Sequence, residues 1–121
     1  YLFMKENNVI RDKTYQFALK IVFCYKNLQE NKKEYTLSRQ LLRSGTSIGA
    51  NIEESIGAQT DKDFFSKITI SYKEARETHY WLRLLKDSSY LNKNEAYRLL
   101  QDVEEILRII SAIQKTLKSR I

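Results

Sequence analysis

The chain of 121 residues carries 21 Lys or Arg against 15 Asp or Glu, which gives a formal net charge of +6. This length suits one hydrophobic core, so a single domain is predicted over residues 1–121. With no proline and only three glycines the chain lacks the turn residues of a many-stranded fold, and no apolar run approaches a bilayer span, so no membrane partner is expected.

The N-terminal residues predict where the protein is found. The stretch from Tyr1 to Lys5 is too short and too weakly apolar for a secretory signal. Met4 is expected to be the native initiator, with residues 1–3 a remnant ahead of it. A cytoplasmic location is the resulting expectation.

Two helices are predicted in the first half of the chain. The first is expected over residues 9–30, and the second from an N-cap at Thr36 to a stop at Gly57. The core stripe of the first helix comprises Ile10, Phe17, Ile21, Cys24, Tyr25 and Leu28. The stripe of the second comprises Leu37, Leu41, Leu42, Gly45, Ile48, Gly49, Ile52 and Ile56.

Two further helices follow, each opened by a capping pair. Thr60 with Asp63 opens a helix over residues 61–86, and Asn92 with Glu95 opens the last helix. The third stripe comprises Phe64, Ile68, Ser71, Ala75, Thr78, Leu82 and Leu85. The fourth comprises Leu99, Leu100, Val103, Ile106, Leu107, Ile110, Ile113 and Leu117. Short connections favour an all-α fold, an antiparallel up-down-up-down four-helix bundle.

Apolar residues also occur away from these stripes. The residues concerned are Tyr15, Leu19, Phe23, Ile70, Tyr80, Trp81 and Leu84. They are expected to form an exposed apolar patch, and its burial between copies in a homo-oligomer is the favoured reading. The alternative is that some of them fold under loops or helix ends.

Gly45 and Gly49 lie four residues apart on the core face of the second helix. Each weakens the helix by about 1 kcal/mol relative to alanine, so a compensating interaction is required. We predict close packing against a neighbouring helix at both positions. The opposite face is small and polar, in Thr46, Ser47 and Ala50, and could accept a second close contact or form a shallow groove.

The run Arg43-Ser-Gly-Thr-Ser-Ile-Gly-Ala-Asn-Ile-Glu-Glu-Ser55, followed by Phe64 or Phe65 and by Ser71-Tyr-Lys-Glu-Ala75, resembles the 23S rRNA intervening-sequence proteins. The family pattern is an Arg-Ser/Ala segment leading into Ser-Ile-x-x-Asn-Ile-Ala-Glu-Gly, then an aromatic residue and a helix rich in small residues and Glu. The resemblance covers nearly the whole chain. Glu53 and Ser55 depart from it, since the family usually has alanine and glycine there.

The resemblance implies a four-helix bundle that assembles as a ring-like homopentamer. It also implies a relation to another protein, the accessory variability protein of diversity-generating retroelements. That protein is a basic pentamer that engages nucleic acid and a reverse transcriptase. The family name records the genomic location of some members inside rRNA genes and does not make the chain a ribosome component.

The sequence offers little for catalysis. His79 is the only histidine and has no Glu-x-x-His spacing around it, and Cys24 lies in an apolar stretch that predicts a buried, reduced thiol. The segment from Gly45 to Gly49 lacks the lysine of a phosphate-binding loop. No catalytic residue, metal site or cofactor is predicted, and the protein is expected not to be an enzyme.

Two functions remain open. The first is a basic oligomeric scaffold that binds RNA or DNA backbone. Its candidate contacts are Arg39, Arg43, Lys115, Lys118 and Arg120, the last three on a C-terminal end that has no acid after Glu105 and is expected to be a positive pole. The second is a protein-interaction module that recruits a partner enzyme and makes no contact with nucleic acid.

Overall fold

The computed structural model describes residues 4–121, with side chains from residue 9 onward, and this part of the chain forms four helices and no strands. They are α1 (Met4–Glu30), α2 (Leu37–Ile56), α3 (Asp61–Asp87) and α4 (Lys93–Lys118). The prediction of an all-α bundle is confirmed. α1 begins five residues before the predicted start at residue 9, and the expectation about residues 1–3 lies outside the described residues.

The helices pack in the order α1, α2, α3, α4 around the core, and α4 closes against α1. α1 and α3 therefore lie on one diagonal of the bundle. Along the boundary between α1 and α4, residue numbers rise on one helix as they fall on the other. Lys13 pairs with Glu105 at 3.0 Å, and Lys20 pairs with Asp102 at 2.8 Å. The contacts between α1 and α2, α2 and α3, and α3 and α4 show the same reversal. Neighbouring helices are thus antiparallel.

Antiparallel packing gathers the connections at two ends. We call the end with the α1–α2 and α3–α4 connections, residues 31–36 and 88–92, the upper end. The lower end has the α2–α3 connection, residues 57–60, and residues 119–121.

Two of the three predicted caps are confirmed. The Thr60 hydroxyl accepts a hydrogen bond from the N–H of Asp63 at 3.0 Å, and the Asn92 side chain accepts one from the N–H of Glu95 at 2.8 Å. These bonds satisfy backbone donors that have no partner within the helix. They fix the first turns of α3 and α4.

The prediction that the Thr36 side chain caps α2 is wrong. Thr36 occupies the N-cap position, but its side chain makes no capping bond. Instead the buried Glu34 carboxylate accepts hydrogen bonds from the N–H groups of Thr36, Leu37 and Ser38, at 3.1, 3.0 and 2.6 Å. A carboxylate can accept from three orphan donors at once, whereas a single hydroxyl satisfies fewer.

The predicted stripes form the core. All seven residues predicted for α3 are buried. Five residues of the other stripes are only half-buried: Tyr25, Leu37, Leu42, Gly49 and Leu107. Ile56 does not belong to the core and is 40% exposed, because it is the last residue of α2. Ser55 takes the buried position there, and its hydroxyl donates to the carbonyl of Ile52 at 2.6 Å.

Small hydroxyl residues line the contact between α2 and α3. The Thr78 hydroxyl lies 2.9 Å from that of Ser44, and the Ser71 hydroxyl donates to the backbone carbonyl of Ile48 at 2.9 Å. All three side chains are buried, and each is satisfied by a partner. Their small size lets the two helices approach closely.

The boundary between α1 and α4 is the most open of the four. A surface groove of about 450 Å³ runs along it, lined in part by Lys13, Phe17, Lys20 and Asp102. The two ion pairs across this boundary hold helices that are far apart in sequence.

In the described part of the chain, no helix combines the length and the apolar character that spanning a membrane requires.

Candidate interaction surfaces

Two helices present apolar side chains to the outside. On α1, Tyr15, Leu19 and Phe23 follow one another at four-residue spacing, and Tyr15 and Phe23 are 61% and 64% exposed. On α3, Ile70, Tyr80 and Leu84 are exposed. We call these sets the α1 face and the α3 face.

The single exposed patch expected from the sequence is wrong, because α1 and α3 lie on a diagonal and do not pack against each other. The α1 face and the α3 face therefore point away from different corners of the bundle. Trp81 also differs from expectation, since it is half-buried against the core. Its indole N–H donates to Glu77 at 2.9 Å.

Arg43 is engaged within the molecule. Its guanidinium donates to Glu77 and to Glu74, the latter at 3.2 Å, so one arginine of α2 bridges two carboxylates of α3. The indole N–H of Trp81 and then the Arg43 guanidinium hold the pKa of Glu77 below its ordinary value. By contrast, Arg39 is exposed and forms no ion pair with any described residue. Only Arg39 of the two is open to an external anion.

The lower end is not the unopposed positive pole that the C-terminal sequence suggests. Lys115 and Lys118 are exposed, with no ion pair to the described residues, but Arg120 lies 3.9 Å from Asp61. The acids Glu53, Glu54, Asp61 and Asp63 reach the same end from α2 and α3. Lys67 pairs with Glu54 at 2.9 Å, and Arg11 with Glu53 at 2.6 Å.

The upper end has the larger surplus of positive charge. The basic residues of segments 26–39 and 83–98, which flank its two connections, are Lys26, Lys32, Lys33, Arg39, Arg83, Lys86, Lys93 and Arg98. The acids of the same segments are Glu30, Glu34, Asp87 and Glu95. Glu34 is occupied by the cap of α2, and among the described residues the only ion pair between these groups joins Lys86 to Asp87 at 3.7 Å.

Three exposed tyrosines lie at the upper end. Tyr35 is in the α1–α2 connection, Tyr90 in the α3–α4 connection, and Tyr97 in the second turn of α4, with exposures of 46%, 37% and 55%. The Lys86 Nζ lies 5.2 Å from the centroid of the Tyr97 ring. Aromatic rings and ammonium groups therefore share this surface.

The two glycines of α2 lie against α1. A Cβ atom at Gly45 would lie 2.9 Å from Cγ1 and from Cγ2 of Ile21, inside the van der Waals limit. At Gly49 it would lie 3.3 Å from the backbone oxygen of Thr14. Next to this crossing, Ala18, Thr46 and Ala50 line a shallow groove of about 200 Å³.

Cys24 and His79, the residues considered for catalysis, lie in surroundings that are typical of residues with a structural role. Burial, together with the nearby Glu95 carboxylate, raises the pKa of Cys24 to about 12. The imidazole of His79 lies 2.9 Å from Glu104 on the surface. Among the side chains that the structure describes, no three His, Cys, Asp or Glu residues lie together as metal ligands would.

The sequence prediction missed the upper end as a charged surface. Its basic residues come from two segments that are far apart in the sequence, 26–39 and 83–98, whereas the C-terminal bases lie close together at the end of the chain and are conspicuous in the sequence. The sequence did contain the information needed to find this surface, because an antiparallel bundle brings the residues around its first and third connections to the same end. Counting charge by bundle end would have found it.

The 23S rRNA-intervening sequence protein family matches residues 6–112 of the chain. A solved structure from Bacteroides thetaiotaomicron, of a protein with unknown function from the S23 ribosomal protein family, is 44% identical and superimposes with a TM-score of 0.89, covering 91% of this chain and 98% of that one. No curated protein matches. The chain thus belongs to the family of 23S rRNA-intervening sequence proteins.

Proposed function

We propose that the protein is a non-enzymatic oligomeric scaffold that binds nucleic acid weakly through its basic surface. The observation that carries this proposal is the set of exposed cations, Arg39 among them, that form no ion pair with any described residue, while the chain has a net charge of +6. Such cations attract the phosphate backbone without reading sequence. Sequence preference is expected to be slight.

Assembly is the second part of the proposal. The α1 face and the α3 face lie on opposite corners, so the α3 face of one copy can cover the α1 face of the next. Repetition of this head-to-tail contact closes into a ring when the rotation between copies fits. The family resemblance suggests five copies. A ring multiplies weak phosphate contacts, because each subunit brings the same cations to one particle.

Arg39 and Arg43 form a matched pair for testing the binding of nucleic acid. Arg39→Gln and Arg43→Gln each remove one positive charge from α2, one turn apart. Labelled RNA and DNA would be titrated across a salt series. Arg39→Gln is expected to weaken binding and to lower the slope of log K against log salt by about 0.7 per lost phosphate contact on single strands. Arg43→Gln should change the slope less, because Glu74 and Glu77 already occupy that guanidinium.

Absence of binding by the parent protein at low salt would overturn the proposal. The apolar α1 and α3 faces would then favour the second function, a module that recruits a partner enzyme by protein contacts. The relation to the accessory variability protein of diversity-generating retroelements is part of this proposal and suggests a reverse transcriptase as that partner.

A further inference from the structure

The upper end differs from the rest of the surface in two independent respects. It has the larger surplus of positive charge with few internal ion pairs. It also presents Tyr35, Tyr90 and Tyr97, all exposed. Among the described side chains, the exposed apolar residues of the lower end are Val9, Ile56 and Ile121, and all three are aliphatic. Charge and aromatic rings thus coincide at one end of the bundle.

These two features match a particular class of ligand. Cations along a backbone path together with rings on which bases stack are the means by which proteins hold single strands without reading sequence. A duplex keeps its bases stacked internally and offers them to no ring. The combination therefore favours a single strand over a duplex.

We propose that the upper end is the binding surface for single-stranded nucleic acid, with Lys33, Arg39, Lys93 and Arg98 contacting phosphates and the three tyrosines stacking on bases. This inference rests on the proposed binding of nucleic acid and adds its location and strand type. The lower end, where Arg11, Lys67 and Arg120 lie close to carboxylates, contributes little.

The location is tested by two variants of equal charge. Lys33→Gln with Lys93→Gln removes two exposed lysines from the upper end, and Lys115→Gln with Lys118→Gln removes two from the lower end. The probe is labelled oligothymidine, titrated by fluorescence anisotropy across a salt series. The upper pair is expected to weaken binding about tenfold and to lower the salt slope by about 1.4, and the lower pair to weaken it less than about threefold.

Stacking is tested by Tyr35→Leu with Tyr97→Leu, which keeps apolar bulk and charge. We expect binding to weaken about tenfold with an unchanged salt slope, because no phosphate contact is lost. Circular dichroism and sedimentation of each variant verify the fold and the assembly. The same oligothymidine annealed to oligodeoxyadenosine is expected to bind about tenfold more weakly than the single strand.

The outcomes separate the two proposals. If the parent binds neither probe at low salt, the proposed function fails and this inference fails with it. If the parent binds but the lower pair has the larger effect, or the tyrosine variant binds like the parent, or the duplex binds as tightly as the single strand, the binding of nucleic acid stands and this inference is overturned.

Discussion

Glu34 is the side chain that holds the start of α2. Burial disfavours its charged form, but hydrogen bonds from the N–H groups of Leu37, Ser38 and Thr36 outweigh this effect and lower the pKa of the carboxyl. A group whose pKa is depressed in the folded state stabilises the fold above its unfolded pKa. That contribution is lost as pH falls through the folded pKa.

Glu34→Gln is therefore expected to lower the free energy of unfolding by about 1 kcal/mol near neutral pH, because an amide oxygen replaces a charged acceptor. The difference between parent and variant should shrink as pH falls below the ordinary carboxyl pKa of 4.5, because the unfolded parent then takes up a proton that the folded parent binds only at lower pH. Urea unfolding across a pH series measures both effects. Glu30→Gln, at an exposed acid, serves as the control and should change stability little. A difference that stays constant down to acid pH would contradict the capping role.

Cys24 gives a second prediction for a single side chain. Its thiol is buried, and a pKa near 12 leaves almost no thiolate at neutral pH. Iodoacetamide is thus expected to leave the native protein unmodified and to alkylate it fully in urea, as read by mass spectrometry. Rapid alkylation of the native protein would show that Cys24 is more accessible than the structure has it.

The contact between α1 and α2 is set by the two glycines, and they are not equivalent. The Cβ atom of Gly45→Ala would clash with Ile21, a stiff β-branched side chain in the core. The variant is expected to be less stable than the parent, because overpacking costs about 1–3 kcal/mol and the higher helix propensity of alanine recovers only about 1 kcal/mol. Gly49→Ala meets Thr14 at a milder 3.3 Å and is expected to be nearly neutral. Gly49→Leu should destabilise by about 1–3 kcal/mol. Thermal unfolding ranks the three variants.

A double-mutant cycle identifies Ile21 as the cause. In an Ile21→Ala background the two Cγ atoms are gone, so Gly45→Ala is expected to become stabilising by up to about 1 kcal/mol through helix propensity. If Gly45→Ala is equally harmful in both backgrounds, the clash lies elsewhere.

The boundaries and the core of α3 could be predicted because the sequence of that one helix specifies them. Its stripe recurs at helical spacing, and Thr60 and Asn92 cap in the ordinary local pattern. Glu34 could not be predicted as a cap, since it lies before the helix and its role depends on how the α1–α2 connection bends back. The engagement of Arg43 depends on tertiary packing, which brings Glu74 and Glu77 of α3 beside α2, and the half-burial of Trp81 depends on its packing against the core.

At the level of the whole molecule, head-to-tail assembly has a distinctive test. Phe23→Glu blocks the α1 face and Tyr80→Glu blocks the α3 face, and both side chains are exposed, so neither change should unfold the bundle. Each variant alone is expected to sediment as a monomer. An equimolar mixture should form a dimer and stop there, because only one intact pair of faces remains.

The control is Ala112→Glu, on the exposed side of α4, which should leave the assembly unchanged. A parent that sediments as a monomer at micromolar concentration would contradict assembly itself. Self-association of Tyr80→Glu through its intact α1 face would instead indicate a two-fold contact between like faces.

The open boundary between α1 and α4 has a consequence for motion. α1 and α4 both border this boundary and pack less extensively than α2 and α3, so their amide hydrogens are expected to exchange faster than those in the middle of α2 and α3. α1 also carries one of the two apolar faces, so opening and assembly compete for the same helix. By mass action, exchange in α1 should slow as protein concentration rises, while exchange in α2, which carries neither face, should depend on it less.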